Sequence, residues 1–153
     1  MYMHVELNEL CSRQRILLFL QFDTVWQNDV GFVHYDFNKP ENLDPSLKNM
    51  FDMVVIDPPF VEHEVWEKYA IASRFLLKND PKPENPFDIQ QKGIVMGTTV
   101  RENKDLMMQL FGAKPTEFLP VCPHLVYQFG VYVNCIDECS TLQKPNLELP
   151  ANC

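Results

Sequence analysis

The chain is 153 residues long with 46% hydrophobic, 22% charged and 12% aromatic content, which suits one globular domain with its own core and excludes a disordered or collagen-like chain. Thirteen Lys and Arg against 21 Asp and Glu leave a net charge of -8, a field that repels a phosphate backbone unless basic side chains cluster, so non-specific nucleic-acid binding is disfavoured. No apolar run reaches the roughly 20 residues of a membrane helix, and the start MYMHVELNEL lacks a basic region followed by an apolar stretch. The five cysteines (Cys11, Cys122, Cys135, Cys139, Cys153) are an odd number, so reduced thiols in a cytoplasmic protein are expected.

Val5, Leu7, Leu10 and Cys11 give a loose helical stripe, after which Arg15 to Phe22 (RILLFLQF) reads as a fully buried strand ending at Asp23. Its unbroken apolarity predicts a parallel sheet covered on both faces. Beyond TVWQNDVG a short strand is expected from Phe32 to Tyr35, stopped by Asp36 and the turn-rich DFNKPENLDPS. Phe51 to Ile56 (FDMVVI) forms the next buried strand, broken at Asp57 because Pro58 and Pro59 cannot donate to a ladder. From Glu62 to about Lys78 the spacing is helical, with Val65, Tyr69, Ala72 and Leu76 on one side and Glu62 and Glu64 near the positive end of the dipole.

A Pro-rich loop (NDPKPENPFD) leads to the strand KGIVMGT and to a helix from Arg101 to Phe111 ended by Gly112. KPTEFLP and YQFGVYVN follow without a helix-length segment between them, so they are expected to pair antiparallel at one side of the sheet. The last stretch, CIDECSTLQKPNLELPANC, is polar and turn-forming, which divides the chain into a domain at 1–134 and a tail at 135–153 that should fray. The alternation of strands and helices is that of an α/β fold.

Ligands of open α/β sheets bind beyond the carboxyl ends of the strands, where Asp57, Pro58, Pro59 and Phe60 fall. A turn stiffened by two prolines fixes the Asp57 carboxylate and a backbone carbonyl without a ladder partner, and Phe60 adds a flat wall. Two acceptors and such a wall orient an amino group so that its lone pair points in a defined direction at an electrophile, the geometry of methyl transfer to nitrogen. The plainer alternative is a strand-ending turn with Asp57 capping a helix and Phe60 in the core. Cys122, His124, Cys135 and Cys139 have C-x-H and C-x3-C spacings that match no finger pattern, so ordinary thiols are preferred and no metal site is expected. Tyr127 and Phe129 are read as core aromatics, Trp26 and Trp66 as packing residues, His34 as a strand position and His63 as a surface helix position. No G-x-G pattern follows a strand.

The segment HYDFNKPENLDPSLKNMFDMVVIDPPF, with LLFLQFD before it and KGIVMGT and FGVYVN after it, resembles the N6-adenine methyltransferase-like family. Within that family it most resembles the eukaryotic elongation factor 1-alpha lysine methyltransferases, from about Tyr2 to Asn134. The resemblance implies a Rossmann-like, S-adenosylmethionine-dependent sheet, mostly parallel with an antiparallel C-terminal hairpin. The implied reaction moves the sulfonium methyl to a lysine ε-amine of elongation factor 1-alpha. By the same resemblance Asp57, Pro58, Pro59 and Phe60 form the target-amine site, Asp23 accepts from the ribose hydroxyls, and Asp36 meets the adenine, with Tyr35 and Phe37 near its ring. A strand-end acid at Asp23 and an Asx-turn at Asp36 are the alternatives.

The family fold also has a first strand at the centre of the sheet, between the strands ending in Asp23 and Asp57, whose C-terminal turn receives the methionine end of the cofactor. Here the chain opens in what reads as the helix after that strand. The first strand is therefore expected to be missing and the domain N-terminally incomplete, with another segment filling the slot or two buried edges left unpaired. A pI near 4.9 suits a basic protein partner better than nucleic acid. The alternatives are an adenine-N6 methyltransferase on nucleic acid, which would need a basic groove, and a non-catalytic interaction protein.

Overall fold

A computed structural model describes residues 2–7, 16–58, 62–81, 93–120, 127–135 and 141–145. Its strands are β1 (Tyr2–Leu7), β2 (Ile16–Gln21), β3 (Phe32–His34), β4 (Met53–Asp57), β5 (Ile94–Val100), β6 (Lys114–Pro115) and β7 (Phe129–Val133), and its helices are α1 (His63–Leu76) and α2 (Lys104–Phe111). All seven strands join one sheet in the order β3-β2-β1-β4-β5-β7-β6.

The sheet is mixed rather than mostly parallel. Only β2 with β3 and β4 with β5 form parallel ladders. Strand β1 is antiparallel to both of its neighbours, and β7 is antiparallel to β5 and to β6. The antiparallel C-terminal pair stands at the edge, as its turn-linked spacing suggests, although β6 is confined to Lys114–Pro115.

The opening of the chain departs most from the reading of its sequence. Tyr2–Leu7 is a strand, not the start of a helix, and it occupies the central slot. In register, His4 pairs with Phe19 on one side and with Val55 on the other. The physical reason lies in the neighbours, since β2 and β4 would each leave a row of unpaired N–H and C=O groups inside the sheet, and a ladder on both sides outweighs a loose helical stripe. Of the two alternatives, a slot filled by another segment or two unpaired edges, the structure shows the first, with a strand running against β2 and β4. Its amino end, at Tyr2, lies opposite Asp57.

Helix α1 forms where the apolar spacing predicts it and buries Val65, Trp66, Tyr69, Ala70, Ala72, Ser73 and Leu76. It stops at Leu77, which leaves the helical backbone and bridges to Phe51. Helix α2, led in by a 3-10 turn at Arg101–Asn103, ends at Gly112, whose φ of 64° is the left-handed cap that glycine adopts without steric cost. Both helices pack on one face of the sheet. A Cβ added at Gly97 would lie 2.9 Å from Met107 Cε and 3.1 Å from the Trp66 ring, so the absence of a side chain there lets α1 and α2 sit close to β5.

Asn134 follows β7. Its Nδ2 donates to the carbonyls of Pro81 and Gly93, and its Oδ1 accepts from Val95 N, which ties the end of β7 to the start of β5. In the described part of the tail Thr141–Gln143 makes a 3-10 turn, and the Leu142 carbonyl accepts from Phe118 N at 3.2 Å. Two aromatics expected inside are outside, Trp26 at 52% exposure and Tyr127 at 64%. Trp66 is fully buried and meets Phe111 edge-on.

Candidate functional site

Strand β4 delivers Asp57 to the carboxyl rim of the sheet, where the side chain is exposed. Its Oδ1 accepts a hydrogen bond from Thr98 Oγ1 of the neighbouring β5. Thr98 escapes a sequence reading, because the contact joins residues far apart in the chain and is set only by the parallel pairing of β4 with β5. Pro58 is half-buried at the strand end, while Pro59 and Phe60 lie outside the described residues.

Behind Asp57 stands Tyr69, buried in α1. Burial, then the charges of Tyr35 and Asp57, push its phenol well above the usual tyrosine range, so it stays protonated at neutral pH and is not a base. Tyr69 meets Tyr35 edge-on at 5.9 Å and stacks with Phe37 at 6.2 Å, with the planes 16° apart. Tyr35 is 1% exposed and sits in the core, and its buried hydroxyl has no hydrogen-bond partner among the described residues. Burial, followed by Asp36 and Glu41, raises its pKa as well. Phe37 is half-buried, with Lys68 Nζ 5.7 Å from its ring centre.

The two acids expected at the cofactor remain at the surface, and each shapes its own turn. Asp23 Oδ1 accepts from Val25 N at 3.0 Å and caps the 3-10 turn Thr24–Trp26. Asp36 Oδ1 accepts from Asn38 N at 3.0 Å and from Asn38 Nδ2 at 3.2 Å, an Asx-turn. A carboxylate has lone pairs for further donors, so these bonds leave room for ribose hydroxyls or an adenine amine. Beside Asp23 the exposed Phe22 and Trp26 offer aromatic surface, and Phe22 leans on His34 with ring centres 5.7 Å apart.

Strands β2 and β4 flank β1, so the rims from which Asp23 and Asp57 emerge are roughly 9–10 Å apart, two ladder spacings. The structure thus sets the Tyr35–Asn38 turn, with Asp36, against α1, places Asp57 beside Thr98 at the end of β4, and leaves Asp23 across β1. Exposed Asp23, Phe22 and Trp26 and half-buried Asp36 and Phe37 are the polar and aromatic groups that a nucleoside would require. Between those rims β1 presents its amino end rather than a strand-to-helix turn.

Among the described residues no group of three or more His, Cys, Asp and Glu is placed to hold a metal ion, and Cys135 is exposed, while Cys122, His124 and Cys139 lie outside them. No helix among the described residues is long and apolar enough to cross a membrane.

A family model described as probable N6-adenine methyltransferase matches residues 2–137. The chain is 27% identical over 132 residues to the protein-lysine N-methyltransferase EFM5 of Saccharomyces cerevisiae, covering 84% of this chain and 52% of that protein. It is 25% identical over 134 residues to the EEF1A lysine methyltransferase 1 of Mus musculus, covering 84% and 55%. The corresponding protein of Gallus gallus is 30% identical over 105 residues, covering 67% and 43%. The chain spans about half the length of the curated relatives it matches. No solved structure matches it significantly.

Proposed function

This chain belongs to the probable N6-adenine methyltransferase family, and from that membership we propose that it is an S-adenosylmethionine-dependent N-methyltransferase acting on a lysine ε-amine of translation elongation factor 1-alpha. The observation that carries the proposal is Asp57, exposed at the carboxyl rim of β4 and oriented by the Thr98 hydroxyl. When bound, the cofactor supplies an electrophilic methyl on its sulfonium.

Asp57 accepts an N–H of the incoming amine with the lone pairs that Thr98 leaves open, and the Pro58 backbone carbonyl is the proposed second acceptor. Phe60 gives the amine a flat wall to pack on. The lysine must arrive neutral, since its usual pKa of roughly 10.4 keeps it protonated at pH 7, and its proton leaves to water while Asp57 holds the nitrogen in line. Asp23 and Asp36 hold the ribose and the adenine, with Phe37 beside the ring and Tyr35 supporting it from the core.

Charge favours a protein acceptor. From Ile16 to Asn38 the sequence has no Lys or Arg and carries Asp23, Asp29 and Asp36, so this part of the rim offers nothing to a phosphate and suits a basic protein surface. A second reading, a non-catalytic interaction protein, draws support from the direction of β1, which puts a strand end where the methionine half of the cofactor would rest.

Transfer of labelled methyl from S-adenosylmethionine to purified elongation factor 1-alpha, run beside an adenine-containing oligonucleotide, tests the proposal. Label on a lysine of the protein alone is expected. Label on the oligonucleotide would move the assignment to adenine, and no label with no heat on cofactor titration would favour the non-catalytic reading.

A further inference from the structure

The Tyr35–Asn38 turn is held to α1 by one side chain that plays no part in the chemistry above. Lys68 Nζ lies 2.8 Å from Glu64 Oε1 one helical turn earlier, donates to Asn38 Oδ1 at 3.2 Å, and stands 5.7 Å from the centre of the Phe37 ring. A surface lysine ordinarily keeps its head in water, and an exposed ion pair alone contributes little. Here the side chain is 24% exposed and its ammonium is shared among a carboxylate, an amide oxygen and an aromatic face. The pairing registers on the partner too, since the bond from Lys68 holds the Glu64 carboxyl below its usual range.

The contact continues into the turn. Asn38, which accepts from Lys68, gives both its backbone N–H and its Nδ2 to Asp36 Oδ1. Glu64, Lys68, Asn38 and Asp36 therefore form one chain of polar contacts from α1 to the carboxylate proposed to meet adenine. The helix begins at His63, six residues after Asp57, and the residue next to Lys68, Tyr69, stacks on Phe37.

We infer that Lys68 is a positioning residue, a latch that sets the Tyr35–Asn38 turn against α1 and couples the nucleoside side of the site to the helix that follows Asp57. The coupling to cofactor rests on the function proposed above; the latch itself does not. Lys68→Met keeps the aliphatic stem and removes the charge, Lys68→Arg keeps the charge, and Asn38→Ala removes the acceptor.

Two readouts on the full chain test it: amide hydrogen exchange of a peptide spanning residues 35–42, and affinity for S-adenosylhomocysteine. Lys68→Met should speed exchange in that peptide about fivefold and weaken the ligand by a similar factor, with Lys68→Arg close to wild type. Asn38→Ala, which also loses the Nδ2 bond to Asp36, should accelerate exchange at least as much, and the double variant should fall short of the two effects added together, because the Lys68–Asn38 bond is lost in both. Unchanged exchange in Lys68→Met overturns the latch. Faster exchange with unchanged affinity overturns the coupling to cofactor. If wild-type protein takes up no S-adenosylhomocysteine while exchange still responds, the latch stands and the methyltransferase reading falls.

Discussion

The two faces of the sheet are built differently. On the face under α1 and α2, Val54, Ile56, Val95, Gly97 and Thr99 are all buried, and the helices bring Trp66, Met107 and Phe111 against them. On the other face Met53, Val55, Ile94, Met96 and Thr98 are only half-buried, and Asp57 stands exposed at its rim. The same strands thus carry a packed core on one side and the Asp57–Thr98 pair on the other. In β4 and most of β5 labour divides by strand parity, every second residue stabilising the fold while the intervening ones remain accessible, whereas β7 is buried on both faces.

The contrast predicts its own sharpest test. Trp66→Ala should cost about 3–5 kcal/mol of stability, the usual cost of deleting a buried indole, measured by denaturant unfolding. Asp23→Ala should weaken cofactor binding by about 1–3 kcal/mol in a calorimetric titration, whereas Asp23→Asn retains a capping oxygen for Val25 N and separates the turn from the ligand contact. Equal affinity for Asp23→Asn and wild type would leave Asp23 a turn residue only. Thr98→Val keeps the shape and removes the hydroxyl that orients Asp57, so kcat should fall about tenfold, roughly 1.4 kcal/mol, with cofactor affinity unmoved. On the half-buried face Val55→Thr should cost under about 1 kcal/mol by the same unfolding assay. A loss there as large as that of Trp66→Ala would erase the distinction between the faces.

What could be read in advance follows the strength of local signals. Strands β2, β4 and β5 and both helices announce themselves through long apolar periods and hard stops at Pro58 and Gly112. Strand β1 does not, because six residues of mixed polarity become a strand only when partners from distant parts of the chain offer ladders on both sides, and nothing local encodes its direction. Trp26 and Tyr127 show that aromatic identity does not report depth.

Within the site, Asp57 is legible because a carboxylate before two prolines marks a strand end. Thr98 and Lys68 are not, since a strand threonine and a helix lysine look ordinary until the fold brings them to Asp57 and Asn38. The acids at Asp23 and Asp36 were open to both a turn role and a ligand role, and their hydrogen bonds show the turn role without using all their acceptor capacity.

The central claim, that Asp57 holds the acceptor nitrogen, is tested most directly by comparing Asp57→Asn with wild type for labelled methyl transfer to elongation factor 1-alpha, alongside S-adenosylhomocysteine affinity. The account predicts a fall in transfer of about a hundredfold or more with affinity unchanged. Transfer at the wild-type rate, or an equal loss of transfer and affinity, would contradict it.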